Sequence, residues 1–190
     1  MNNRKKIPQW LKVLGVTVIA AIMIRTFLFS SYVVEGKSMM PNLQDGNRLI
    51  VNKIDYNISK PHRFDVVIFH ADKTKDYVKR VIGLPGDKIA YKNDVLYING
   101  KPVNEPYLKP YKDKLITGQL TEDFTLKEYT GHSTVPKGKL WVMGDNRQKS
   151  VDSRQFGFVD MDKVVGKVNI RFWPLSKFDL IHSQGKNVKK

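Results

Sequence analysis

The chain has 190 residues, enough for one domain plus an attachment segment, and 41% hydrophobic residues, the content of a folded protein. It has no cysteine, which excludes disulfides, thiolate catalysis and cysteine-bound zinc. Its 33 Lys and Arg against 18 Asp and Glu give a net charge of +15, which draws it to anionic partners such as lipid headgroups or wall polymer.

Lysine is scattered along the chain and no arginine-rich or aromatic-interleaved motif occurs, so nucleic acid is not the expected partner. Arg4, Lys5 and Lys6 precede the apolar run Val13–Ile24, VLGVTVIAAIMI, with Lys12 at its edge. That uncharged core is about 12 residues, the length of a signal-peptide h-region. Continued past Arg25 through TFLFSSYVV to Val34, it is about 22 residues, or roughly 33 Å of helix, enough to cross a bilayer with Arg25 snorkelling to the far interface. No small-residue cleavage site follows Arg25, which selects an uncleaved anchor over a cleaved signal peptide. The expected division is a basic cytoplasmic N-terminus over 1–12, a transmembrane anchor over 13–34 and an extracytoplasmic domain over 35–190, the basic cluster setting the orientation.

Beyond the anchor, short β-branched and aromatic runs are separated by Gly, Pro and Asn/Asp turns. Strands are predicted at Arg48–Ile54, Asp65–His70, Tyr77–Gly83, Lys139–Gly144 and Gly166–Trp173. A hairpin is predicted at Asn93-Asp94, a second turn at Asn99-Gly100 and a type II turn at Leu84-Pro85-Gly86-Asp87. With no long amphipathic helix after the anchor, the expected fold class is mainly β, a curled sheet or barrel-like core. The least patterned stretch, Pro106–Thr134, reads as an elaboration of that domain.

His62, His70, His132 and His182 show no metal-ligand spacing, so no metal and no cofactor are expected. A serine–lysine pair is then the chemistry to look for. Lysine acts as a base only when burial lowers its pKa by several units from about 10.4. Lys79, in the apolar run before Gly83, is the candidate, with Ser38 in EGKSMMP (Glu35–Pro41) as nucleophile. Lys37 is a poor base, because neighbouring extended residues point to opposite faces. Taken singly, the lysine reads equally as an edge residue and the serine as part of a turn. A third segment, Gly144–Arg154, packs polar and charged residues between two apolar runs. Covered, it requires internal pairing, with Asp145, Asp152, Arg147 and Arg154 as the pairing groups and Ser150 and Ser153 free to orient a neighbour.

Together these segments resemble type I signal peptidases, membrane-bound Ser/Lys endopeptidases. SMMP (Ser38–Pro41) resembles the nucleophile box and RFDVVIFH (Arg63–His70) the strand after it. YVKRVIGLPGDK (Tyr77–Lys88) resembles the general-base box and GDNRQKSVDSRQFG (Gly144–Gly157) the last box. The resemblance implies a β-rich core on a membrane surface, with Ser38 as nucleophile and Lys79 as general base working through an acyl-enzyme. Ser150 would hold the lysine amine, and Asp145, Asp152 and Arg154 would form the supporting network. Val34, Ile68 and Tyr77 match substrate-lining positions, and the partners implied are secretory preproteins with small residues at the first and third places before the cut. Two positions depart from the pattern. Gln148-Lys149 stands where the family often has Asp-Asn, and Gly36 stands where some members have an oxyanion-stabilising serine. The oxyanion would then rest on backbone at Ser38 and Gly36.

Two rival readings are a soluble self-cleaving Ser/Lys peptidase of the repressor type and a membrane-tethered β domain that docks lipid or wall polymer. The Val13–Ile24 run opposes the first; the second leaves the three boxes as coincidence.

Overall fold

The computed structural model describes residues 8–53, 60–72 and 74–181, with residues 20–29 described by their backbone alone. Arg4, Lys5, Lys6 and His182 lie outside the described residues, as does the side chain of Arg25. Helix α1, Gln9–Leu28, is the first element, and Trp10, Leu11, Val13, Leu14, Val16, Val18 and Ile19 on it are all exposed. Among the described residues no helix is long and apolar enough to cross a membrane. The expected anchor over 13–34 is also corrected at its C-terminal end. Residues Phe29–Val33 form strand β1, which pairs antiparallel from Phe29↔Asn52 to Val33↔Arg48. From Phe29 onward the chain belongs to a sheet, whose ladder takes the backbone groups that a longer helix would have used.

The strands that follow are β2 Arg48–Asn52, β3 Val66–His70, β4 Asp76–Gly83, β5 Ile89–Lys92, β6 Val95–Ile98 and β7 Lys101–Val103. The series ends with β8 Phe124–Thr125, β9 Lys139–Met143, β10 Val159–Asp160, β11 Val164–Trp173 and β12 Asp179–Leu180. They make two antiparallel sheets. The larger runs β1-β2-β11-β3-β4-β9-β10, with β12 on β11, and the smaller runs β7-β6-β5-β8. The barrel-like expectation is corrected here, since closure needs a ladder between the terminal strands and β1 and β10 do not pair. The core is two open sheets.

Turn chemistry sets the registers. Asn93 and Asp94, both at positive φ, turn β5 into β6 with Lys92 opposite Val95. Asn99 and Gly100 do the same between Ile98 and Lys101. The Leu84–Asp87 turn has Gly86 at φ +90° and closes with Asp87 N–H donating to Leu84 O at 3.0 Å.

Strand alternation divides the core. In β3, Val66 and Ile68 join Val34, Met39, Leu43, Leu49, Val51 and Val168 on one face, while Val67 and Phe69 join Val81, Leu140, Val142 and Val159 on the other. A third cluster, including Ile82, Trp141 and Met143 of the large sheet and Ile89, Tyr91, Leu96 and Ile98 of the small one, welds the two sheets together. Each such apolar side chain contributes about 1.5–3 kcal/mol when fully buried. The stretch Pro106–Thr134 folds over the small sheet, and Tyr107, Leu108, Leu120, Phe124 and Leu126 enter this third cluster. It is the domain elaboration expected from the sequence.

Candidate active site

Ser38 stands in the loop between β1 and β2. The loop's ends are tied by Val34 N–H to Asn47 O at 2.8 Å and Gly46 N–H to Val34 O at 2.9 Å. Met39 and Leu43, each 1% exposed, root the loop in the core, so the half-buried Ser38 beside Met39 has a fixed position. The last box clamps it from the other side. Asn146 donates its backbone N–H to Ser38 O at 2.9 Å and its Nδ2 to Lys37 O at 3.1 Å.

Lys79 comes from the middle of β4, opposite Val67 of β3. Its Nζ donates to Ser38 Oγ at 2.9 Å across 41 residues of sequence. The side chain is 4% exposed, and burial lowers the amine from 10.5 to about 8, against the opposing pull of the Asp152 and Asp145 carboxylates. On the same face of the strand the Tyr77 ring lies 5.1 Å from Nζ. An amine with this pKa carries its proton below about pH 8 and is free to accept one as the pH rises through that value.

The carboxylates near the lysine are themselves neutralised. Asp152 accepts from Arg154 Nε and Nη2, both at 2.9 Å, and from Gly144 N–H at 3.0 Å, and it caps the helical turn Ser153–Phe156. Asp145 binds a different arginine from the one expected. Arg80, one residue after Lys79 and therefore on the opposite face of β4, grips it with Nε at 2.8 Å and Nη2 at 2.7 Å. Asn42 Nδ2 adds a third bond to Asp145 at 2.8 Å, and Arg80 stacks on the Tyr107 ring at 4.0 Å. Arg147 also leaves the expected loop pairing. It is buried against Glu105, which lies after β7, at 2.5 Å.

The proposed pairing of two aspartates with two arginines inside the loop therefore holds only for Asp152 and Arg154. Arg80, Glu105, Asn42 and Asn146 were missed. Arg80 carried a signal, a second cation inside the apolar run of β4, whereas Glu105 lay in the stretch with least pattern.

Gly144 is where these elements cross. A Cβ there would lie 2.2 Å from Ser150 Oγ and 2.5 Å from Ser38 O, so only glycine fits. Ser150 is buried beside it, but its Oγ has no hydrogen-bond partner among the described residues, and the expected bond to the lysine amine is not made. Gly36, at φ +86°, donates its N–H to Asp45 Oδ1 at 2.7 Å and so does not serve an oxyanion here. The Ser38 N–H donates to no acceptor among the described residues and is the remaining backbone donor of that pair. Val34 and Ile68, at 3% and 0% exposed, share the cluster with Met39, and half-buried Tyr77 stands on the lysine face. Lys37 is exposed, and His70 Nδ1 lies 2.6 Å from Asp76 rather than against Ser38.

Residues 7–173 match the family model for signal peptidase, peptidase S26. The chain is 59% identical over 177 residues to signal peptidase I of Bacillus caldolyticus, covering 93% of this chain and 96% of that one. It is 45% identical over 180 residues to signal peptidase IB of Staphylococcus aureus strain COL, covering 92% and 94%. A crystal structure of a signal peptidase I from Enterococcus faecalis V583 superposes with a TM-score of 0.55 at 45% identity, covering 58% of this chain and 97% of that one.

Proposed function

The chain belongs to the signal peptidase family, peptidase S26, a family of serine peptidases, and on that premise we propose that Ser38 and Lys79 are the dyad with which it cuts signal peptides from exported preproteins. The observation that carries this reading is the 2.9 Å contact between Ser38 Oγ and the buried Lys79 amine. Lys79 in its neutral form takes the proton of Ser38, and Oγ attacks the carbonyl carbon of the scissile bond. The Ser38 N–H, which donates to no acceptor among the described residues, is the donor for the resulting oxyanion in this reading. As the tetrahedral intermediate collapses, the C–N bond breaks and the lysine ammonium returns the proton to the leaving amine. A water molecule, deprotonated by the same lysine, then attacks the acyl-enzyme and releases Ser38. Asp145 and Asp152 hold the loop against the dyad, and Ser150 is the hydroxyl available to bond the amine when it moves.

Val34 and Ile68, the positions that match the substrate-lining ones by resemblance, are buried in one core cluster with Met39, the neighbour of Ser38. A surface backed by such close packing leaves space beside Ser38 for small side chains alone. This fits preproteins with small residues at the first and third places before the cut. The apolar N-terminal segment that includes helix α1 is the proposed attachment to the membrane, with the N-terminus cytoplasmic and the domain over 35–190 outside, the orientation set by the basic cluster at Arg4–Lys6. Its seven exposed large apolar side chains support that reading. Co-localisation on one membrane face then raises the effective concentration of substrate.

The test is cleavage of a purified preprotein by wild type, Ser38→Ala and Lys79→Met. Wild type is expected to cut and both variants to be inactive while still folded; cleavage by either variant would sink the dyad. For the attachment, full-length Val16→Lys/Ile19→Lys protein is expected to lose binding to lipid vesicles, and unchanged binding would refute it.

A further inference from the structure

The buried ion pair between Arg147 and Glu105 joins the two sheets, and no step of the proposed chemistry uses it. Glu105 is supplied by the small-sheet side of the molecule, between β7 and the 3-10 turn Pro106–Leu108. Its Oε1 accepts from Arg147 Nη2 at 2.5 Å, Tyr107 OH at 2.6 Å and Tyr91 OH at 2.9 Å. Arg147 Nη1 in turn donates to Tyr91 OH at 2.7 Å and Thr121 Oγ1 at 3.2 Å. The side chains of both ions are wholly shielded, at 0% and 2% exposed. A guanidinium in such a place needs its carboxylate, because an unpaired buried charge is strongly destabilising.

The remaining Arg147 donor, Nε, goes to Gly144 O at 3.0 Å. Gly144 lies against Ser38 O and Ser150 Oγ with no room for a Cβ, and its N–H is bound to Asp152. The Arg147 carbonyl accepts from Arg154 at 2.6 Å, which leads back to Asp152. A shift of Glu105 therefore moves Arg147, then Gly144, then the nucleophile's own backbone.

We infer that Glu105 is a positioning residue: through Arg147 it uses the small sheet as a strut that sets Gly144, and with it Ser38, against Lys79. The inference rests on the proposed peptidase reading and adds a role for the small sheet in it.

The experiment uses the full-length chain in detergent, with thermal midpoints and with kcat and KM measured on one preprotein. Glu105→Gln keeps an acceptor for both tyrosines but strands the guanidinium charge. Its midpoint is expected to fall by about 10 °C and its kcat about 10–100-fold, with KM little changed. In Glu105→Gln/Arg147→Met no buried charge remains, so most of the midpoint is expected to return. The kcat is expected to stay low, because nothing holds the Gly144 carbonyl. Recovery of kcat together with the midpoint would mean the pair is only structural and would overturn the inference. Should the double variant fail to fold, Arg147→Lys decides. An ammonium keeps the charge opposite Glu105 but cannot reproduce the fork to Gly144. Reduced kcat at constant KM supports the inference, and wild-type kcat overturns it. If wild type cuts no preprotein, the peptidase reading itself falls; if wild type cuts and kcat tracks the midpoint, only the strut falls.

Discussion

Replacing Lys79 by Met should make the protein more stable at neutral pH while abolishing its activity. In the folded chain burial holds the amine at about 8 instead of 10.5. The folded state therefore binds this proton less tightly than the unfolded state does. Below about pH 8 both states carry it, and the folded state bears the whole cost of a buried ammonium. As pH rises through about 8 towards about 10.5 the cost disappears, so wild-type stability gains in that window. The drop from 10.5 to about 8 corresponds to about 3 kcal/mol. Met fills a similar volume but loses the bond to Ser38 Oγ, worth about 1 kcal/mol, so the net gain at pH 7 is about 2 kcal/mol. Denaturant titrations of both proteins at pH 6, 7, 9 and 10.5 measure it, with every other titrating group cancelling in the difference. A Met variant less stable than wild type at pH 7, or a gap that does not change with pH, would refute the reasoning.

The supporting groups give three further expectations. Asp145→Asn removes the charge that Arg80 grips, and a thermal midpoint lower by about 10 °C is expected, from about 3–5 kcal/mol for breaking a buried pair; a shift within about 2 °C would contradict that cost. Gly144→Ala pushes a methyl against the Ser38 carbonyl and Ser150, and cleavage should be lost with the far-ultraviolet circular dichroism of the sheets retained. Asp152→Asn removes the carboxylate that raises Lys79 most, so the acid limb of the kcat/KM profile should move below its wild-type midpoint; an alkaline move would contradict the assignment.

Much of this site was legible in the letters because it is built from local patterns. Ser38 lies beside a proline and two methionines, Lys79 interrupts an apolar strand, and the polar loop 144–154 stands between two apolar runs. The hairpins at Asn93-Asp94 and Asn99-Gly100 were legible too, since few residues adopt positive φ. What pattern could not supply were partners fixed by packing between elements far apart in sequence. The loop's two aspartates and two arginines balance one another on paper, which hid that Asp145 is held by Arg80 and Arg147 by Glu105, 65 and 42 positions away. The boundary between helix and sheet at Leu28 was hidden for another reason. Apolar residues suit both the helix and the strand Phe29–Val33, and only the ladder to β2 separates them.

The central claim is that Lys79 titrates as the base for Ser38, and the most direct measurement is the ionisation of that one amine. Lysine side-chain NMR, with the Lys79 signal assigned by its absence from Lys79→Met, would be followed from pH 6 to pH 11 beside kcat/KM on a preprotein. The expected result is a Lys79 midpoint near about 8 that coincides with the rise in kcat/KM. A Lys79 midpoint near 10.5, with activity already at its plateau two pH units below, would contradict the account.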